Sequence, residues 1–116
     1  MDPQLKRGLT DVCVLALLSR GDSYGYKLVR DIAQLMPLSE STLYPVLRRL
    51  EEAGALDVYS REHAGRLRRY YRITPKGRQR MADFIREWEA LGKVYTFIKR
   101  MEEENLKHME GENHEA

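Results

Sequence analysis

Ser39-Glu40-Ser41-Thr42-Leu43-Tyr44-Pro45-Val46-Leu47-Arg48-Arg49-Leu50-Glu51-Glu52-Ala53-Gly54 decides the fold. Small hydroxyls and an acid open it, as they open helices. Leu43, Val46, Leu47, Leu50 and Ala53 recur at helical spacing and make one apolar stripe. Gly54 stands where a helix stops. The opposite face carries Ser41, Tyr44, Pro45 and Arg48. The pattern predicts a helix whose back packs on a core and whose front is free to meet DNA. Pro45 conflicts with it, since an interior proline costs ~3 kcal/mol. Either the helix proper starts near Ser41 or its first turn is irregular.

Upstream, the polar residues 1–8 predict a frayed end. Thr10-Asp11 is read as the cap of a helix over Val12–Ser19 that is apolar nearly all round. Such a helix is covered on more than one side, and in so short a chain the second cover is a partner subunit. Arg20-Gly21-Asp22-Ser23 reads as a turn, with Ser23 capping a helix from Tyr24 to about Met36. Tyr24, Leu28, Ile32 and Leu35 form its stripe, and Pro37 ends it. Two helices joined by Pro37-Leu38 make a helix-turn-helix pattern.

Downstream the period changes to two. Leu56, Val58 and Ser60 alternate with Asp57, Tyr59 and Arg61, and Arg69, Tyr71 and Ile73 with Arg68, Tyr70 and Arg72. With a turn over Glu62–Gly65 this predicts a β-hairpin with a basic tip, a wing after three helices. Thr74 and Pro75 then suit the cap and first position of a last helix. Met81, Phe84, Ile85, Trp88, Leu91, Tyr95, Ile98 and Met101 give it a stripe that outruns any core the domain can offer. Gly92 interrupts that stripe and marks either a close crossing or a bend. The fold class expected is therefore mainly α with a small β-hairpin: a winged helix-turn-helix over residues 1–74, a dimerisation helix over 75–107 and a disordered acidic tail over 108–116.

The charge agrees with a polyanion as partner. Residues 1–80 hold 15 Lys and Arg against 9 Asp and Glu, a balance of +6, and residues 81–116 carry −4. One cysteine, Cys13, excludes an internal disulfide, and its apolar neighbours suggest an inert thiol in a reducing, cytoplasmic setting. The polar N-terminus predicts no signal peptide, and no apolar run has the ~20 residues of a membrane helix. His63, His108 and His114 are scattered, so no metal site, cofactor or catalytic constellation is expected and the chain reads as no enzyme.

Three blocks carry a family resemblance: Gly21-Asp22-Ser23-Tyr24-Gly25-Tyr26, then Ser41 to Glu51, then Gly65-Arg66-Leu67-Arg68-Arg69-Tyr70-Tyr71-Arg72-Ile73-Thr74. In that order, over roughly residues 5–101, they resemble the PadR family of bacterial transcriptional regulators. The single long last helix is similar to the short branch of the family, with its multidrug-binding members. The resemblance implies a dimeric repressor on inverted-repeat operators, released by a small molecule and paired through its first and last helices. It also implies a last-helix tryptophan facing its copy, a place that Trp88 occupies here.

These readings name two sets of residues. Ser39, Ser41, Thr42, Tyr44 and Arg48 are the expected DNA contacts of the third helix, against the bland alternative of an Arg48–Glu52 surface pair. Lys27 and Tyr24 add phosphate contacts from the second helix, with a core role for Tyr24 the equal alternative. Arg66 and Arg68 serve from the wing, whereas Arg69 shares a face with Tyr71 and Ile73 and reads as structural, as does Arg49 through a surface salt bridge. Val12, Leu15, Ala16, Phe84, Ile85 and Trp88 are expected at the dimer axis, where paired indoles either hold a planar aromatic effector or only pack. The partners expected are double-stranded DNA and a second copy, with no membrane. The alternative is a winged-helix protein-interaction module, or a ligand-binding protein without a specific operator.

Overall fold

A computed structural model describes residues 2–115, with the side chains of Lys6 and residues 112–115 outside the description. The elements run α1 (Pro3–Leu18), β1 (Ser23–Tyr24), α2 (Gly25–Ile32), α3 (Glu40–Glu52), β2 (Leu56–His63), β3 (Arg66–Ile73) and α4 (Pro75–Glu115). They divide into two compact units, one ending at Asp83 and the other beginning at Phe84. The first is a winged helix; the second is the remainder of α4.

The stripe on α3 is the floor of the first unit. Leu43, Val46, Leu47 and Leu50 are buried with Val14, Leu15 and Leu18 of α1, Leu28 and Ile32 of α2, and Leu56, Tyr71 and Ile73 of the sheet. Alanine at one such leucine costs about 2–5 kcal/mol. The helix ends as its glycine predicts. Gly54 takes φ +77°, its N–H donates to Glu51 O at 2.9 Å, and the Ala55 N–H donates to Leu50 O at 2.9 Å. That is a Schellman stop, and it turns the chain directly into β2. Pro45 lies inside the helix, six residues past the Ser39 N-cap. The helix therefore starts before it and runs through it. Pro45 has no N–H to donate to the Ser41 carbonyl, and its ring is exposed.

Four expectations about boundaries are corrected. First, α1 begins at Pro3, not Val12: the Asp2 carboxylate caps it by accepting from the Leu5 N–H at 3.1 Å, and Pro3 is pre-set for the first turn. Thr10 and Asp11 are thus buried mid-helix residues. Second, α2 starts at Gly25 and ends at Ile32, because Tyr24 is extended (φ −124°, ψ 164°). It pairs with Tyr70 while Ser23 pairs with Tyr71, so the wing is a three-stranded antiparallel sheet in the order β1-β3-β2. Leu35 falls beyond α2 and is 72% exposed. Third, the wing turn has only two residues, Ala64 (φ 52°) and Gly65 (φ 80°), so both strands reach farther than the alternation indicates. Fourth, α4 continues to Glu115, so the stretch expected as a disordered tail is helical as far as it is described, Ala116 lying outside. Glu102 to Glu110 is rich in strong helix formers, which outweighs its excess of acid.

Thr74 caps α4 as expected. Its hydroxyl oxygen accepts from the Gly77 N–H at 3.1 Å while its O–H donates to Gly54 O at 2.6 Å. One side chain so fixes both the exit of α3 and the entry of α4.

Candidate nucleic-acid interface

The front of α3 is open. Ser39, Ser41, Thr42, Tyr44 and Arg48 are all exposed. The Ser39 hydroxyl lies 2.9 Å from that of Ser41 and 3.0 Å from that of Thr42. Ser39 therefore closes a hydroxyl cluster and makes no side-chain bond to the helix amides, although its carbonyl accepts from the Thr42 and Leu43 N–H groups. Among the described residues no ion pair joins Arg48 to Glu52, and Arg48 stands exposed.

Alternating side chains build a tyrosine row across the sheet. Tyr59 and Tyr70 stack at 5.6 Å, and Tyr24 meets Tyr70 edge-on at 5.7 Å. The Tyr59 O–H donates to the Asp22 carboxylate at 2.6 Å, tying β2 to the turn before β1. That bond, ahead of burial, pushes the Tyr59 phenol above its ordinary range. Arg68 lies over the Tyr24 ring, 4.0 Å from its centroid, and is half-buried. Tyr24 is thus half-buried, its ring edge-on to Tyr70 and carrying a cation on its face, which is the packing role weighed for it. Arg66, at the turn, is exposed, whereas Arg69 donates to Glu51 at 3.2 Å and braces the wing against α3. Lys27 is exposed on α2.

Arg49 is held more deeply than a surface bridge. It donates to Asp11, whose carboxylate is 4% exposed and also accepts from Arg80 at 3.0 Å. Sequence reasoning missed this link because Asp11 was assigned to a cap. It also passed over Leu67, which is 80% exposed beside Arg66 and Arg68. The alternation that places Arg69 and Tyr71 on one face puts Leu67 there too. Exposed Arg7 on α1 went unseen with the helix start; Pro3 behind Asp2 was its signal.

The residues expected at a dimer axis divide. Leu15 is fully buried in the core of the first unit, which corrects its placement: α1 turns it inward, where Leu47 and Leu50 also pack. Val12 is half-buried and Ala16 exposed. In the second unit Phe84 and Trp88 sit one turn apart with rings at 5.5 Å, Trp88 is 37% exposed and Ile85 50%. Leu91, Val94, Tyr95, Phe97 and Ile98 are all more than half exposed. Cys13 is half-buried, and burial pushes its thiol up. Among the described residues no helix is long and apolar enough to cross a membrane, and no group of three or more His, Cys, Asp or Glu is placed to hold a metal. The His114 side chain lies outside the description.

Comparison with known proteins follows the same lines. Residues 14–83 match the profile of the transcriptional regulator PadR-like family. A Mycobacterium tuberculosis transcriptional regulator is 45% identical over 56 residues, which cover 48% of this chain and 52% of that protein. The structure of a Clostridium thermocellum transcriptional regulator is similar at 37% identity and TM-score 0.72, covering 83% of this chain and 95% of that one. Bacillus subtilis PadR, crystallised in complex with operator DNA, shares the fold at 22% identity and TM-score 0.62, over 66% of this chain and 46% of its own.

Proposed function

The chain belongs to the PadR-like family of transcriptional regulators, a family of regulators and not of enzymes, and from that premise we propose a homodimeric repressor that binds a palindromic operator. One observation carries the DNA reading: Ser41, Thr42, Tyr44 and Arg48 stand exposed on one face of α3, with the open cation Arg66 on the adjoining wing. A helix so presented fits the major groove, where hydroxyls, a phenol and a guanidinium reach base edges. Arg66 and Lys27 supply sequence-independent attraction to phosphates, and Arg68, held over the Tyr24 ring, adds a third cation. The Bacillus subtilis complex supports the reading through the shared fold. Such a protein works in the cytoplasm, where its DNA is.

One copy reads too few base pairs to select a site, and the exposed apolar residues of α4 supply a surface for pairing two. The recognition helices then enter successive major grooves ~34–36 Å apart. A planar aromatic molecule stacking on the Phe84–Trp88 pair releases the operator if it binds tighter to a dimer whose helices miss that spacing.

A gel shift tests the DNA reading, using duplexes from the region upstream of the protein's own gene and from neighbouring promoters at stated salt. A shift resisting excess scrambled duplex is expected. Only salt-sensitive, sequence-blind binding would remove the operator from the reading. Trp88 fluorescence, titrated with a panel of planar aromatic compounds, tests the effector; absence of quenching leaves Trp88 as packing alone.

A further inference from the structure

Gly25 begins α2, and its backbone does not require glycine, for its φ is not among the positive values in the chain. Alanine also forms helix better. The reason for glycine lies on α3. A β-carbon at Gly25 would lie 2.7 Å from the Tyr44 Oη, 2.9 Å from Cε1 and 3.0 Å from Cζ. The bare α-carbon is therefore the seat of the Tyr44 ring. Beyond that seat Tyr44 is 43% exposed and opens on a cleft of about 460 Å³ that Tyr24, Tyr26, Leu67 and Arg68 also line.

We propose that Gly25 is a positioning residue for operator recognition, fixing the Tyr44 phenol for a directed contact in the cleft between recognition helix and wing. The proposal rests on the DNA reading above. A hydrogen bond to a base edge or phosphate weakens steeply when its donor moves or tilts, and an unseated exposed side chain loses more freedom on binding. A methyl group at position 25 pushes the ring off its seat and spoils that contact. It leaves Arg48, Arg66 and Lys27, and hence sequence-independent attraction, untouched.

The test uses full-length protein, a duplex from the region upstream of its own gene and a scrambled duplex of equal length and composition. Gly25→Ala is expected to cut discrimination between the two by about tenfold, the scale of one lost base contact. Affinity for the scrambled duplex and the melting temperature should hold. Gly25→Ala/Tyr44→Ala should discriminate no worse than Tyr44→Ala, because the ring that clashes is gone. Equal losses from Gly25→Ala in both backgrounds, or undiminished discrimination, overturn the proposal. So does a Gly25→Ala protein that unfolds while the double variant folds, since the contact is then structural. If wild type prefers no promoter duplex, the operator reading itself fails and this one with it; if wild type discriminates and Gly25→Ala does so equally, the positioning role falls alone.

Discussion

Asp11 and Arg49 are joined inside the winged helix, the carboxylate 4% and the guanidinium 29% exposed, with Arg80 on the other carboxylate oxygen at 3.0 Å. The link fastens α1, α3 and the start of α4 at one buried charge. Removing both arginines strands that charge without a counter-ion, which costs about 3–5 kcal/mol. Arg49→Ala/Arg80→Ala should thus be much less stable to urea than either single variant, since one guanidinium alone still answers the carboxylate. A double variant within about 1 kcal/mol of wild type would show that water already serves Asp11.

Gly77 is tightly enclosed on α4. A β-carbon there would lie 2.4 Å from the Ala55 carbonyl oxygen and 2.8 Å from Ile73 Cγ1. Alanine gains up to about 1 kcal/mol of helix propensity but overpacks by about 1–3 kcal/mol. Gly77→Ala should lower stability, read as an earlier urea midpoint at unchanged slope. A later midpoint would mean that Thr74 lets the helix entry shift outward without loss.

Tyr59 reports on the turn before β1. Its bond to Asp22 favours the neutral phenol and raises its pKa above the ordinary value of 10.0. A group with its folded pKa raised contributes stability in full below the unfolded value, and loses that contribution as pH rises through the folded value. The Asp22–Tyr59 tie should therefore persist at neutral pH and open only above about pH 10. In phenolate absorbance titrations, Asp22→Ala should bring one tyrosine to lower pH. An unchanged titration would mean that the bond does not form in solution.

Arg66 is exposed at the tip of the wing. Arg66→Ala should weaken binding to every duplex alike and reduce the slope of log K against log salt by about 1 per protomer. Ser41→Ala and Arg48→Ala should instead change which duplex is preferred. A salt slope unchanged by Arg66→Ala would move the phosphate contact to another cation.

Periodicity made the α3 stripe, its glycine stop, the wing and the Thr74-Pro75 start of α4 readable, because each depends on neighbours in sequence. What escaped depends on partners far along the chain. Tyr24 satisfies a helical stripe equally well, and only pairing with Tyr70 decides for a strand. Asp11 suits a cap by residue type, and its true partners stand 38 and 69 positions away. The expected tail was judged on its charge, whereas its helix propensity was the stronger term. In the candidate site the exposure of the α3 side chains was legible as the face opposite the stripe. The seat at Gly25 was not, since a glycine beside a turn carries no sign of a side chain arriving from another helix.

The proposed pairing of two copies rests on the exposed apolar residues of α4. Leu91, Tyr95 and Ile98 lie at three- and four-residue steps and are 55%, 63% and 59% exposed in one copy. Left in water, such a row is an association surface. Wild type should weigh twice the 13.6 kDa of one chain in light scattering, and Leu91→Glu should shift it to the single mass by burying an unpaired carboxylate at the pairing surface. Operator affinity should fall with it, because each protomer then binds its half-site alone. Gly92→Ala locates the crossing. Its β-carbon meets nothing within 4 Å in one copy, so the helix alone should gain up to about 1 kcal/mol. If the partner's helix crosses at Gly92, the same methyl group should weaken the dimer instead. A dimer undisturbed by Leu91→Glu would mean that this face is not where the copies meet.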